Sequence, residues 1–502
     1  MDYADWLLPA TTWGEKDGTV TNSERRISRV RRCIPAPGEA RDDWRIALDL
    51  ARRLESRLGP RRVDGGSLFA FDSAEAVWNE HRESTRGRDL DITGLDYGRL
   101  DTPAQWPFPE GATQGRARLY EDGRFATEDG RARFVDCAPR PVAEARDARF
   151  PFSLTSGRLR DQWHGMSRTG TLGRLFAHAP GPAVELHPQE LERRHWKDGD
   201  LVRVSSRRGT LVLPVRGTDG VAPAQAHIAM HWGPEWLRGG VNVLTSPALC
   251  PTSKQPELKH AAVRIEKVAL PWSLLAAAWM PAATALETLS ALRAHFDAFE
   301  FACAVPFGRE PGDRVGVMLR AASLDPVDTP TLQAVELALR LDTDRPALRY
   351  VDARRGQRRA MRLDDEGRLQ AFVLAGDDRA HGWVLELLQQ GASAAAMGRA
   401  LLASTPEPPS SAALAPRSPQ VCACLDVSEA RIVEAAPRCT GSPDERLAAL
   451  QGALRCGTQC GSCVPALRSL LQAHPAASPA DPAGPSMSTS TPAPTTTNGV
   501  PA

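Results

Sequence analysis

Four cysteines stand in two close pairs near the end of the chain: Cys422-Ala423-Cys424 and, further on, Cys460-Gly461-Ser462-Cys463. Thiolates bind soft metals, and two thiols separated by one or two residues reach one small centre from one stretch of backbone. Each pair can grip one side of such a centre. The chemistry this offers is electron carriage, or metal holding alone. A C-x-C … C-x-x-C frame without a neighbouring histidine fits four-thiolate ligation of a [2Fe–2S] cluster. Zinc is the competing occupant, although its sites more often use two C-x-x-C pairs or add histidines.

Helices must hold these thiols in place. After Cys424, Asp426 and Glu429 have capping-box spacing and predict a helix start. Ser442-Pro443-Asp444-Glu445 reads as a cap, a first-turn proline and a capping-box glutamate, with Leu447, Leu450 and Leu454 as the apolar stripe that follows. A last helix after Cys463 carries Leu467, Leu470 and Leu471 on one face. The two outer helices are expected to aim free N–H groups at the metal centre. Cys456 reads as a loop neighbour of the frame. Cys33, Cys137, Cys250, Cys303 and Cys439 are isolated and read as small buried hydrophobes.

A second cluster of reactive side chains runs from Thr155 to Gly170. A short apolar strand meets Gly157, which permits a strained turn. Arg158, Arg160, Asp161, Gln162, Trp163, His164, Gly165, Arg168 and Thr169 follow. Arg158 and Arg168 can fork onto phosphates, and Trp163 offers a stacking face. The loop suits an extended, anionic, ring-bearing ligand such as a dinucleotide; a solvated basic loop is the alternative.

The elements around it are short strands. Residues 199–204 alternate apolar and polar, and Thr210–Val215 follow a turn at Arg207-Arg208-Gly209, which predicts a β-hairpin. Ala226–Met230 and Ala262–Glu266 are further strands, and the set argues for a barrel. Leu348–Asp352, Arg358–Leu363 and Leu369–Ala375 predict a strand meander, with a helix over Trp383–Gln389. Near the N-terminus, Asp5–Pro9 reads as a strand end and Trp44–Leu58 as a helix. Residues 61–147 are charged, Gly-rich and aperiodic, and read as loops or an excursion from a domain.

Bulk properties narrow the classes. The 502 residues suffice for several domains, and 42% are apolar, so cores can form. The 62 basic and 61 acidic side chains leave a net charge of +1, which gives no reason to expect a nucleic-acid or membrane-surface partner. The longest apolar stretch, Ala269–Leu286, is interrupted by Pro271 and Pro281, so no membrane span is predicted. Met1–Asp5 has no basic or apolar leader pattern, and clustered cysteines then favour metal duty in the cytoplasm over disulfides.

Two family resemblances join these readings. Val421–Cys424 and Cys456–Cys463 resemble the bacterioferritin-associated-ferredoxin-like [2Fe–2S] domain, which implies Cys422, Cys424, Cys460 and Cys463 as the metal ligands. Ser156-Gly157-Arg158, Trp163-His164 and Arg168-Thr169-Gly170, with His231-Trp232-Gly233, Val241–Thr245 and Pro251–Lys259, resemble the molybdopterin dinucleotide-binding domain of the molybdenum oxidoreductases. That resemblance implies a six-stranded double-psi barrel. It implies that Ser156 to Gly165 line a guanine dinucleotide and pterin, that Asn242 and Lys259 approach from the far side, and that His231 lies near the metal end. Residues 4–26, with the polar side chains Glu15, Asn22, Glu24 and Arg25, are similar to a run that closes an α/β cofactor-binding domain in the same family.

The fold expected is α+β and multidomain: a partial α/β domain over residues 1–147, the double-psi barrel over 148–268, a small α/β module over 269–404, a linker over 405–417, a helical [2Fe–2S] domain over 418–474 and a disordered tail over 475–502. This order of parts resembles the cytoplasmic assimilatory nitrate reductase large subunit. The resemblance implies a molybdopterin guanine dinucleotide cofactor, nitrate as substrate, and a reductase, ferredoxin or flavoprotein as electron donor. The family's [4Fe–4S] frame and molybdenum-ligating cysteine are not in this sequence. The front half of the family's pattern is therefore expected to lie elsewhere, through a split or frameshifted gene or a start assigned at an internal Met; a separately encoded N-terminal half is one expected partner, and this chain alone is expected not to reduce substrate. Another molybdopterin enzyme such as a formate dehydrogenase, or a non-enzymatic electron-transfer or docking protein, are the alternatives.

Overall fold

A computed structural model describes residues 4–59, 61–136, 138–308, 313–342, 347–409, 414 and 417–476. They fall into two compact units, Met1–Pro139 and Arg140–Ala502.

In the first unit, strands β1 (Gly18–Thr21) and β2 (Arg26–Val30) form an antiparallel hairpin, to which β3 (Ala104–Gln105) adds beside Arg26 and Ile27. Asn22 shapes the turn: its Oδ1 accepts from the Glu24 and Arg26 amides. Arg25 donates to the Trp106, Arg116 and Ala117 carbonyls. The polar run read from the sequence thus ties its own turn to a later loop. Helix α1 (Asp43–Leu58) follows the expected periodicity, yet Leu50, Leu54 and Leu58 along it are exposed. No strand forms over the described residues 4–9; Trp6, Leu7 and Leu8 find no strand partner and stand exposed. Residues 61–136 are more than an excursion. Helix α2 (Ala74–Glu83) and the loops after it supply Trp78, Ile92, Leu95, Tyr97, Leu100 and Phe108 to a core shared with Ile27. Apart from Trp78 on α2, these apolar residues sit singly between turns, so they carry no period for a sequence to display.

The second unit opens with a closed six-stranded barrel. Its strands are β4 (Phe152–Gly157), β5 (Val184–Leu186), β6 (Leu201–Ser205), β7 (Thr210–Gly217), β8 (Gln225–Ala229) and β9 (Ala261–Lys267), with helix α3 (Pro188–Arg194) after β5. They close in the order β4-β8-β5-β7-β6-β9, with β4–β8 and β5–β7 parallel and the other pairs antiparallel. The expected hairpin is β6–β7, in which Leu201 faces Pro214 and Ser205 faces Thr210. Val202, Val204, Leu213 and Ile228 are fully buried in the barrel core.

The stretch scanned for a membrane span is a strand and a helix. Strand β10 (Trp272–Pro281) runs into helix α4 (Ala282–Arg293) at Pro281. β10 lies inside a wholly antiparallel six-stranded sheet with β11 (Phe301–Phe307), β12 (Arg314–Ser323), β13 (Leu348–Asp352), β14 (Gln357–Leu363) and β15 (Leu369–Ala375), ordered β11-β12-β10-β15-β14-β13. A strand covered on both faces reads as a continuous apolar run, so β10 lacks alternation. All seven residues of β15 are buried for the same reason. Helices α5 (Thr329–Ala338) and α6 (His381–Gln390) complete this part. Among the described residues no helix is long and apolar enough to cross a membrane.

The cysteine module pairs β16 (Gln420–Cys422) with β17 (Val427–Ser428) and packs three helices, α7 (Glu429–Ala435), α8 (Pro443–Leu454) and α9 (Val464–Ala473). The cap of α7 is Ser428, not Asp426: Asp426 has a positive φ of 48° and its Oδ1 accepts from Gln420 Nε2 at 2.6 Å. The expected box at Ser442 and Glu445 is present in full. Ile432, Leu450 and Leu467 form the small core, and Leu447 and Leu471 join them. The expectations for Cys137, for part of the linker and for the tail beyond His474-Pro475-Ala476 fall outside the described residues.

Candidate functional site

The four thiols of the sequence frame come together, but not as the sequence pairs them. Cys422 ends β16, and Cys424 lies in the turn that returns to β17. Cys460 sits in the loop after α8, and Cys463 is the cap residue of α9. Cys424 Sγ lies 3.0 Å from Cys460 Sγ, and Cys463 is hydrogen bonded to Cys422. Each close pair therefore takes one thiol from each segment. Among the described residues no group of three or more His, Cys, Asp or Glu side chains is placed to hold a metal ion, so the four thiols stand as two close pairs.

Electrostatics distinguishes the four. Burial, with Cys422 alongside, pushes the Cys463 thiol up to about 12. Burial also raises Cys424, while hydrogen bonds from Cys424 and Ser462 lower its neighbour Cys460. A cation held by thiolates reverses this preference, because it deprotonates the groups that coordinate it. Two hydrogen-bonded thiol pairs, with three of the four thiols at least partly withdrawn from water, fit a two-metal centre with two thiolates per metal.

The N–H groups at the start of α7 are taken: Glu429 N donates to the Pro419 carbonyl at 2.8 Å and Ala430 N to Ser418 Oγ at 2.8 Å. They do not serve the thiols as expected. Helix α9 springs directly from Cys463, so its first turn adjoins that thiol. Cys456 is fully buried, and its thiol is raised by burial and by Cys422 nearby. Of the isolated cysteines, Cys303 and Cys439 are buried as read, whereas Cys33 and Cys250 are exposed. Their loops expose them: Cys250 opens a polar turn whose Ser253 amide donates to its sulfur, and its thiol is lowered to about 7.

The second constellation adjoins a cavity of about 220 Å³ on the barrel, and of its predicted cofactor residues only Arg158 and Asp161 line that cavity. Its lining includes Arg158, Asp161, His178, Arg216, His227 and Trp232. Gly157 ends β4, but its φ is not in the left-handed region. Its need for glycine is steric: a Cβ there would lie 2.8 Å from His227 Cε1. Lys259 Nζ donates to the Ser156 carbonyl at 3.1 Å, while Ser156 Oγ donates to the Leu258 carbonyl at 2.6 Å.

The loop after β4 is folded on itself. The Arg158 guanidinium lies 5.9 Å from the exposed Trp163 ring, which packs edge-on to His164 at 4.5 Å. Thr169 Oγ1 accepts from the Trp163 amide at 3.2 Å. His164 has a positive φ of 47°, and its carbonyl receives the hydrogen bond of His231 Nδ1. His231 is buried, and burial lowers its affinity for protons, as it does for His227. Among the described residues, its Nε2 and the Oε1 of buried Gln162 have no hydrogen-bond partner. Orphaned buried polar atoms are costly, so they fit a ligand bearing polar groups. Gly165 and Asn242 are exposed, and neither they nor Arg168 line the cavity.

Asp161 lines the cavity and is paired with Arg160 and His178. Burial raises its carboxyl, but His178 and Arg160 outweigh that and hold it below the usual range. Arg160 and His178 also touch the thiol module. His178 carries no motif in the sequence. His227 shares the pleat with Gln225 and Ala229 on β8, a period-two signal that identifies a face but not a cavity.

Comparison with known proteins bears on both centres. Residues 152–262 match the molydopterin dinucleotide binding domain, residues 1–53 the molybdopterin oxidoreductase model, and residues 420–473 the BFD-like [2Fe-2S] binding domain. The chain is 33% identical to a nitrate reductase of Klebsiella oxytoca over 94% of its own length and 50% of that relative. It is 40% identical to a nitrate reductase of Synechocystis sp., covering 53% of this chain and 37% of the relative. It is 34% identical to the F420-dependent formate dehydrogenase subunit alpha of Methanocaldococcus jannaschii, again over 53% of this chain and 37% of the relative. The chain thus spans half or less of the length of these curated relatives.

Proposed function

We propose that this chain provides the dinucleotide-binding barrel and the electron-input centre of a molybdopterin-dependent nitrate reductase that works in nitrate assimilation in the cytoplasm. The observation that supports it most is the pairing of Cys422 with Cys463 and of Cys424 with Cys460 on the same unit as the barrel cavity. Cys422, Cys424, Cys460 and Cys463 would hold a [2Fe–2S] cluster. Ser156, Gly157, Arg158, Trp163, His164, Gly165, Arg168, Thr169, His231, Asn242 and Lys259 would take the guanine dinucleotide and pterin. When bound, that cofactor would supply oxygen-atom transfer from nitrate, which leaves nitrite.

The chain's own residues do separate work. Arg158 brings positive charge to the cavity, where it would bind a pyrophosphate, while Arg216 is paired with Glu185 on the same wall. Trp163 presents an exposed ring for stacking. His231, kept neutral by burial, orients the loop through the His164 carbonyl and leaves Nε2 for a polar ligand. The electron donor would be a reductase, ferredoxin or flavoprotein.

Deletion of the gene in its own host tests the substrate. Growth on nitrate as sole nitrogen source should be lost and growth on ammonium retained. Likeness to the formate dehydrogenase supports a second reading. Unchanged growth on nitrate, with formate-dependent dye reduction lost from extracts, would replace the first reading by the second.

A further inference from the structure

The cysteine module and the barrel touch through one polar cluster. His178 Nε2 lies 2.6 Å from the Gln420 carbonyl and its Nδ1 lies 2.5 Å from Asp161 Oδ2. Arg160 Nη2 donates to the Val421 carbonyl at 3.2 Å and lies against the His178 ring, 2.7 Å from its nitrogens. Arg160 Nε donates to Asp161 Oδ1 at 3.3 Å. Gln420 and Val421 are the two residues before Cys422. Gln420 also reaches Asp426, in the turn after Cys424, so the cluster grips both sides of the first thiol pair of the sequence. The module's lead-in has a second anchor: Arg417 Nη1 donates to Gln389 Oε1 on α6 at 2.6 Å.

We propose that Arg160, Asp161 and His178 form a clasp that seats the four-thiol module at the rim of the barrel cavity, making them positioning residues for electron delivery and not ligands of the dinucleotide.

Two features support this. The Asp161 side chain is only 7% exposed. A carboxylate so far from water needs fixed donors, and here both donors also hold the module. Moreover, Arg160, Asp161 and His178 themselves line the cavity, so the clasp and the cavity wall are one structure. The negative charge of Asp161 is felt at Cys460, which places the clasp within electrostatic reach of the second pair of thiols. The inference about electrons rests on the reading that the four thiols hold a cluster; the clasp itself does not.

Hydrogen exchange and redox titration of the full chain, after supply of iron and sulfide, test it. His178→Phe keeps a ring but removes both donors, and should speed exchange of the amides of residues 420–428 at least fivefold. The barrel amides of residues 201–217 should stay unchanged. His178→Gln retains one donor and should remain within twofold of the parent. Asp161→Asn removes a negative charge near Cys460 and should shift the one-electron reduction equilibrium toward the reduced form by about tenfold, equivalent to 59 mV. If His178→Phe fails to fold, Arg160→Gln is judged by the same amides. Unaltered exchange in the variant that folds would overturn the clasp. Faster exchange with an unmoved reduction equilibrium would overturn its role at the cluster. Should the parent chain bind no iron, the cluster reading fails, and exchange of the metal-free chain still decides the clasp.

Discussion

At the scale of single residues, the cysteines divide by partner. Cys422, Cys424, Cys460 and Cys463 each have a thiol neighbour across the two segments, whereas Cys456 is buried beside them as packing. Serine at any of the four should abolish the visible absorbance and iron content of the purified chain, and Cys456→Ser should leave both in place. The frame was legible because its spacing is covalent; the cross-pairing was not, because it depends on where β16 and the turn before α9 meet. Gly157 shows the same limit. Its sequence neighbours suggest a turn, but the constraint comes from His227, seventy residues away. Gly157→Ala should destabilise the chain by about 1–3 kcal/mol through overpacking, read as a lowered urea midpoint. His227 and His231 both hold protons less tightly folded than unfolded, because burial disfavours their charged form. The unfolded chain therefore binds more protons below about pH 6.5, and the stability these two supply is complete above that value and lost as pH falls. The urea midpoint should drop between pH 7.5 and pH 5.5, and the double variant His227→Gln/His231→Gln should flatten that drop.

At the scale of elements, local chemistry was readable wherever it closes within a few residues. The β6–β7 hairpin, the β13–β14–β15 meander and the Ser442 capping box are such cases. Ser442→Ala should cost about 1 kcal/mol, seen as a lower melting temperature, since both halves of the box are made. Elements defined by distant partners escaped. Strand β10 has no alternation because β12 and β15 flank it and both its faces are covered. Helix α7 starts two residues later than the capping-box spacing predicts, because Asp426 turns back to Gln420. Helix α5 hides an ionic tie: Glu336 is fully buried and bridges Arg349 and Arg358 of β13 and β14. Glu336→Gln should lower unfolding free energy by roughly 3 kcal/mol, since one partner of a buried ionic cluster is removed while Arg349 can still reach water. An unchanged denaturant midpoint would show the cluster to be dispensable.

At the scale of the whole molecule, a barrel cavity and a four-thiol module share one unit, and three residues of the cavity wall join them, two by touching the module and Asp161 by holding those two. The sequence displayed the two sites separately through their motifs. It did not display their junction, because Arg160, Asp161 and His178 meet only through folding. The central claim is that the thiol module holds a two-iron cluster that feeds the barrel. Electron paramagnetic resonance of the dithionite-reduced full chain, with metal analysis of the same sample, tests it most directly. The result expected is a single spin-half signal at one spin per chain, with two irons and two labile sulfides. One zinc per chain with no iron, or no stoichiometric metal after supply of iron and sulfide, would contradict it.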